Sequence, residues 1–217
     1  MDLIVQHFNE GGIFMWPILA LGVIAIVIVA ERANTLFMKA TNRKEEFTRE
    51  MRKLILSGNF VKAVKMANSI DSPLARIVKA GLLHVRRSDE VIQSAMDEAA
   101  LNEVPHLESR TGYLAMLSNV ATLTGLLGTV VGLIHSFGAV ANADAAVKGT
   151  LLAAGISEAM NCTAFGLIVA IPSLLAYALL QSRTQKCVDE INEGSVRIVN
   201  LILLNREKLL QSEQGNG

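Results

Sequence analysis

The sequence predicts an all-α, polytopic membrane protein with three transmembrane helices, two of them long and extending into a helical cytoplasmic domain. Its 217 residues are 51% hydrophobic and only 18% charged, with a mean hydropathy of +0.39. An average soluble domain is about a quarter charged. The charged residues are concentrated in residues 31–110 and 183–213. The apolar runs outside these two segments are too long for β-strands and therefore indicate helices.

The composition also excludes several classes of protein. So few charges and so many apolar residues are not typical of a disordered chain. The net charge of zero offers no basic excess for phosphates, so we expect no nucleic-acid partner. Cys162 and Cys187 are too few for a disulfide framework, and neither has a metal-ligand spacing. No nucleotide-binding or hydrolase motif occurs. We therefore expect neither enzyme activity nor a cofactor or bound metal.

The first apolar run, residues 13–30, contains 18 residues and no charge. This length reaches the threshold for spanning the hydrocarbon core of a bilayer. A signal peptide is the alternative, but it requires a basic segment before the apolar run. Residues 1–12 contain neither Lys nor Arg. We therefore predict a retained transmembrane helix preceded by a short N-terminal segment.

Residues 114–137 and 151–180 form the second and third apolar runs, joined by a short connection over residues 138–150. The third run contains one carboxylate, Glu158, and the second contains no Asp, Glu, Lys or Arg. Buried helices of a soluble protein usually carry a charged stripe, which these runs lack. They are predicted to be two spanning helices that form an antiparallel hairpin.

The distribution of Lys and Arg predicts the topology. Fourteen of the twenty basic residues lie in residues 32–110, and five more lie in residues 183–208. The N-terminal segment has none, and the hairpin connection has only Lys148. We therefore expect the helical region 31–113 and the C-terminal helix and tail 181–217 to be cytoplasmic. Residues 1–12 and the connection 138–150 then face the opposite side, which is the periplasm in a Gram-negative-type envelope.

The cytoplasmic region has clear helix signals. Ser72 followed by Pro73 is typical of an N-cap and a first helical position. A further helix is predicted to begin near Asp89 and to continue through Pro105 into the second span without a break. The third span is likewise predicted to continue through residues 201–204.

Small and polar residues recur on one face of each hairpin helix. Such stripes let helix backbones approach closely, and hydroxyl groups can then bond across the contact. Close helix packing, including the pair Gly128 and Gly132, is the simplest explanation of the glycines. In the second run the spacing is 3, 4, 3, 4, through Thr122, Gly125, Thr129, Gly132 and Ser136. In the third run it is 4, 3, 4, 3, 4, through Ala159, Thr163, Gly166, Ala170, Ser173 and Tyr177.

Glu158 is the main candidate functional residue. A charged carboxylate in a spanning segment costs about 2.5–3.5 kcal/mol or more, and such residues usually face a bundle interior or a wet cavity. Alternatively, Glu158 reaches interfacial water near the outer helix end. Thr129 and Thr163 suit an ion path with it, because hydroxyls both donate and accept. Asn161 lies on the same face and is expected to reach Glu158. His135 is expected to be an interfacial histidine, with a proton relay as the alternative, since no acid is evident beside it.

Two segments resemble the signature regions of the ExbB/TolQ/MotA family. Residues 123–132 contain GLxGTVxG, and residues 155–172 contain GIxEA followed by TAxGLxxAIP. The resemblance is closest to the three-span ExbB/TolQ branch. It implies a homopentamer in the bacterial inner membrane, with two copies of a single-span ExbD/TolR-like partner in the central pore. In this family a partner aspartate carries protons, and ion flow delivers work to a TonB-like or Tol-type transducer.

The resemblance also assigns roles to individual residues. Thr129, Glu158 and Thr163 match the ion path, and Pro172 matches a proline of the third span. Asn161 and Thr122 are added as further ion-path candidates. Thr122 stands where the branch usually has proline, and Asn161 where it often has leucine, so sodium stays open beside protons. The residues assigned to helix packing are Gly125, Gly128, Gly132, Gly166 and Pro172.

The sequence thus predicts a non-catalytic subunit of an ion-driven channel or stator. One alternative is a structural membrane scaffold in which the small-residue stripes only pack helices. A second alternative is a subunit of a secondary transporter. Transporter folds usually contain internal repeats and broken helices, and no repeat is visible in this sequence.

Overall fold

The computed structural model describes residues 11–36 and 44–214, so most of the predicted N-terminal segment 1–12 lies outside the described residues. The described residues form helices and turns, and none of them lies in a β-strand. In chain order, the helices are α1 (Met15–Asn34), α2 (Lys44–Leu56), α3 (Phe60–Ser69), α4 (Pro73–Leu83), α5 (Asp89–Glu108), α6 (Thr111–Ala141), α7 (Lys148–Leu204) and α8 (Arg206–Gln214).

The chain divides into two compact units. The apolar unit comprises residues 11–32 and 110–180 of the described chain. It contains α1, α6 and the first part of α7. The amphipathic unit comprises residues 33–36, 44–109 and 181–214. It contains α2 to α5, the last part of α7 and α8.

Within residues 11–36 and 44–214, three segments are long and apolar enough to cross a membrane, as predicted. They lie in α1, in residues 89–141 and in α7, with mean hydropathies of 1.9, 1.7 and 2.1. Large apolar side chains such as Ile26, Leu123 and Ile168 are exposed in the apolar unit. Exposed apolar groups of this kind are stable against lipid rather than water. The predicted fold class, an all-α protein with three membrane-spanning helices, is confirmed.

The second spanning helix does not continue from α5, so the prediction of an unbroken helix from Asp89 was wrong. Helix α5 ends at Glu108 and α6 begins at Thr111. Arg110, between them, has a φ of 64°, which is uncommon for a residue other than glycine. The Arg110 guanidinium pairs with the Glu31 carboxylate at the end of α1. This ion pair joins the residue before α6 to the end of α1.

The hairpin connection is shorter than predicted. Helix α6 continues to Ala141 and α7 begins at Lys148, so residues 142–147 join them instead of residues 138–150. Helix α7 then extends over 57 residues to Leu204, as the sequence predicted, with Pro172 inside it. A proline is tolerated in a spanning helix where neighbouring groups satisfy the freed backbone.

The amphipathic unit has a conventional apolar core. Ser72 caps α4 as predicted, because its hydroxyl accepts a hydrogen bond from the Ala75 N–H at 3.2 Å and Pro73 follows it. Arg76 of α4 donates two hydrogen bonds of 2.6 Å to Glu103 of α5, and these bonds raise the pKa of its guanidinium. The fully or almost fully buried core side chains include Phe47, Met51, Ile55, Ile77, Leu82, Ile92, Ile191, Ile198 and Ile202.

Candidate ion path

Helices α6 and α7 approach each other at glycines. A Cβ atom added to Gly125 would stand 2.9 Å from the Cys162 carbonyl oxygen, and one added to Gly166 would stand 2.8 Å from the Ala121 carbonyl oxygen. One added to Gly132 would stand 3.2 Å from the Ala159 Cβ. No side chain fits at the first two positions without moving a backbone. The two helices are therefore in backbone contact, which the small-residue stripes allow.

Gly128 lies where the chain before α1 meets the hairpin. A Cβ atom there would stand 2.8 Å from the Cys162 Cβ and 3.2 Å from the Phe14 Cβ. The Cys162 thiol donates a hydrogen bond of 2.9 Å to the Gly11 carbonyl oxygen. The turn before α1 thus rests on α7, and Cys162 packs in this contact.

Thr129 of α6 and Thr163 of α7 meet in the seam between the two helices. Their hydroxyl oxygens are in direct hydrogen-bonding contact. The Thr129 hydroxyl also lies 3.1 Å from the Gly125 carbonyl oxygen and 3.3 Å from that of Ala159. The Thr163 hydroxyl lies 3.2 Å from the same Gly125 oxygen. Each hydroxyl has one proton and several acceptors, so the pair can exchange hydrogen bonds without separating.

Glu158 lies one residue before Ala159 and is exposed in this chain. It lines a cavity of about 620 Å³ between the ends of α6 and α7. Its Oε1 atom lies so close to Gly12 that a Cβ added to that glycine would collide with it. The carboxylate is therefore open to the cavity on one side and covered by the turn before α1 on another.

The further candidates lie at the margins of this site. Asn161 is half-buried, and its Nδ2 atom is buried without a hydrogen-bond partner in the described part of the chain. The hydrogen bond from this amide to Glu158 that the spacing suggested is thus not formed. Thr122 is exposed and donates to the Ser118 carbonyl oxygen of its own helix at 3.0 Å. Pro172 is also exposed, so it does not pack in the seam of this chain as the sequence suggested.

Two features of the site were not expected from the sequence. His135 lines the same cavity as Glu158, although no acid was expected beside it. The buried Ser118 hydroxyl donates to the Ala170 carbonyl oxygen across the seam at 2.8 Å, close to Pro172. Neither contact has a local sequence signal, because each depends on how α6 and α7 align.

Comparison with known proteins gives a consistent result. The model of the MotA/TolQ/ExbB proton channel family matches residues 69–193. A putative biopolymer transport protein ExbB-like 3 from Synechocystis is 29% identical over 186 residues, covering 80% of this chain and 88% of the relative. The Tol-Pal system protein TolQ of Haemophilus influenzae is 33% identical over 153 residues, covering 70% of this chain and 61% of the relative. The biopolymer transport protein exbB1 of Vibrio cholerae is 26% identical over 210 residues, covering 94% of this chain and 90% of the relative.

The fold also has a counterpart among solved structures. A chain in the structure of Campylobacter jejuni MotAB superimposes with a TM-score of 0.64 at 18% identity, covering 95% of this chain and 85% of that one. This likeness concerns the fold. Together with three membrane-spanning helices, the sequence matches place the chain in the bacterial inner membrane.

Proposed function

The chain belongs to the MotA/TolQ/ExbB proton channel family, and from this premise we propose that it is a stator-type channel subunit. It couples proton flow, with sodium as the alternative ion, to mechanical work across the cell envelope. A homopentamer of this chain surrounds two copies of a single-span ExbD/TolR-like partner, and the moving partner acts on a TonB-like or Tol-type transducer.

The contact between Thr129 and Thr163 is the observation that carries this proposal. Two hydroxyls meet inside a spanning hairpin, and the Thr163 hydroxyl lies five residues along α7 from a carboxylate that is open to a cavity. Within residues 114–137 and 151–180, Glu158 is the only Asp, Glu, Lys or Arg. A lone acid and two hydroxyls can receive and pass a cation, but they leave no second charge to exchange it with. A carboxylate on the partner helix supplies that second site.

The topology follows the distribution of basic residues. The amphipathic unit contains most of the Lys and Arg residues and lies in the cytoplasm, with the C-terminus. The N-terminus and residues 142–147 then lie in the periplasm, so the cavity at Glu158 opens on the outer side. One charge that crosses 100 mV releases about 2.3 kcal/mol, so a few ions per cycle supply enough energy to rearrange packed helices.

The test measures ion flux through vesicles that contain this chain and its single-span partner. Thr163→Val and Glu158→Ala are each expected to reduce flux to the level of empty vesicles while the complex stays assembled, as judged by its elution volume. Thr163→Ser retains the hydroxyl and is expected to retain flux. Thr124→Val is the matched control, because among the described residues the Thr124 hydroxyl bonds only to the Val120 carbonyl oxygen of its own helix, at 2.7 Å.

Full flux in both Thr163→Val and Glu158→Ala would show that the ion path is wrongly assigned. The scaffold alternative draws on one observation of the same site: the threonine hydroxyls also bond to backbone carbonyls, as packing alone would require. It predicts that Thr129→Ala is tolerated and that no single-span partner copurifies. A complex that loses flux in Thr129→Ala and retains its partner therefore excludes the scaffold.

A further inference from the structure

The outer cavity holds two titratable side chains whose roles differ chemically. Among the residues that line it, His135 comes from α6 and Glu158 from α7. A volume of about 620 Å³ holds roughly 20 water molecules at about 30 Å³ each. Imidazole is the side chain that gains and loses a proton between about pH 5 and 8. An imidazole and a carboxylate in one wet cavity can therefore exchange protons with bulk water and with each other.

The helix seam fixes this juxtaposition. Gly132 packs on Ala159, where an added Cβ would stand 3.2 Å from the Ala159 Cβ. One turn further along α6, Ser136 packs so tightly on Gly155 that any Cβ there would collide with the Ser136 hydroxyl. His135 precedes Ser136 and Glu158 precedes Ala159, so both flank the same pair of contacts. Both side chains therefore line the cavity from the tightest part of the hairpin and not from a loop.

His135 and Glu158 are the only titratable side chains among the described residues that line the cavity. Asp144 and Lys148 in and beside the connection do not line it. The turn before α1 contributes the backbone of Gly12 over Glu158, and the Ser136 hydroxyl already donates to the Gly132 carbonyl oxygen at 2.7 Å.

We propose that His135 is a proton-relay residue that loads Glu158 from the outer water. A hydronium ion in the cavity gives its proton to the free nitrogen of the neutral imidazole, which becomes imidazolium. The other ring nitrogen then passes its proton through the cavity water to the Glu158 carboxylate, which leaves a neutral carboxylic acid and a neutral imidazole. Thr163 lies five residues further along α7, or about 7.5 Å at 1.5 Å per residue. The loaded acid thus lies less than two helical turns from the paired hydroxyls.

This inference rests on the proposed function, and its test separates the two. Proton flux is measured in vesicles that contain the assembled complex, with the outer pH varied between about 5 and 8. His135→Gln is expected to lower flux about tenfold or more and to flatten its dependence on pH, as expected when a positioned acid–base group is lost. His106→Gln is the matched control, since His106 is exposed in the amphipathic unit. Added imidazole is expected to restore part of the flux in His135→Gln alone.

Several outcomes overturn the relay. Unchanged flux in His135→Gln overturns it, and the proposed function still stands if Thr163→Val blocks flux. Reduced flux with an unaltered pH profile and no rescue by imidazole assigns His135 a structural role. A parent complex that conducts Na⁺ but no protons also excludes the relay while leaving the stator intact. If Thr163→Val and Glu158→Ala retain full flux, the proposed function itself fails.

If His135→Gln does not assemble, the assembled complex answers the question directly. A variant in which His7, His84 and His106 are replaced by Gln leaves His135 as the only histidine. Diethylpyrocarbonate, which acylates imidazole nitrogen, is expected to abolish flux in this variant, and hydroxylamine is expected to restore it. Flux that persists after complete modification of His135 refutes the proposal.

Discussion

Replacement of Gly125 by alanine tests whether backbone contact holds the hairpin together. The added Cβ would stand 2.9 Å from the Cys162 carbonyl oxygen and 3.3 Å from the Thr163 Cα. A carbon atom normally stays about 3.3–3.6 Å from a carbonyl oxygen, so α6 and α7 must separate by about 0.4 Å. These neighbouring atoms belong to the backbone, which cannot rotate away as a side chain would.

The expected loss is about 1–3 kcal/mol, the usual effect of an extra methyl group in a filled interior. Alanine also favours a helix over glycine by up to about 1 kcal/mol, and this gain must be separated from the clash. Gly138→Ala provides the separation, because Gly138 lies in the same helix and an added Cβ there meets nothing within 4 Å. Gly125→Ala should therefore be less stable than Gly138→Ala by about 1–3 kcal/mol.

The assay is unfolding of the purified chain in mixed micelles with a rising fraction of denaturing detergent, followed by circular dichroism. Gly166→Ala, whose Cβ would stand 2.8 Å from the Ala121 carbonyl oxygen, should behave like Gly125→Ala. The double variant should lose less than the sum, since both substitutions open the same seam. Equal stabilities of Gly125→Ala and Gly138→Ala would refute the close contact.

Two predictions concern the amphipathic unit. Ser72→Ala removes the cap on the Ala75 N–H and should lower the free energy of unfolding by about 1 kcal/mol, whereas Ser69→Ala, which removes no such cap, should change it little in the same denaturation assay. Hydrogen bonds from its own backbone N–H and from Ser88 hold the pKa of Glu90 below its ordinary value near 4.5. Because the folded pKa of Glu90 is lower than the unfolded pKa, its ionised carboxylate stabilises the fold above the unfolded pKa. This stabilisation is lost as the pH falls through the folded pKa. Glu90→Gln should therefore be less stable than the parent at pH 7 and should match it in acid. Unfolding curves measured at both pH values check this.

Local signals account for the parts of the fold that the sequence predicted. Three long runs without charge are sufficient to identify spanning helices, and Ser72 with Pro73 is sufficient to place the start of α4. The break at Arg110 has no such signal, since neither glycine nor proline stands there. It is associated with the ion pair to Glu31, a contact between residues 79 positions apart in sequence.

The sequence indicated the residues of the candidate site, but not the alignment of α6 and α7 that brings them together. The small-residue stripe correctly suggested that Thr129 and Thr163 face the neighbouring helix, but it also included Thr122, which is exposed. Near Thr122, the contact between α6 and α7 is made by Ser118 and Ala121 instead. A stripe of small residues allows several alignments that differ by one turn. The observed alignment, with Ser136 on Gly155, brings His135 and Glu158 to one cavity.

The packing of the seam and the chemistry of the threonines depend on each other. Gly125 brings the helices into backbone contact, and its carbonyl oxygen is then within reach of both the Thr129 and the Thr163 hydroxyls. With these bonds made, each hydroxyl proton is already engaged, so an ion can pass only if a hydroxyl rotates toward another acceptor. Several acceptors at 3.1–3.3 Å make that rotation an exchange of one hydrogen bond for another. A wider seam would leave the hydroxyls with their own helix alone, so the proposed ion path requires close packing of α6 and α7.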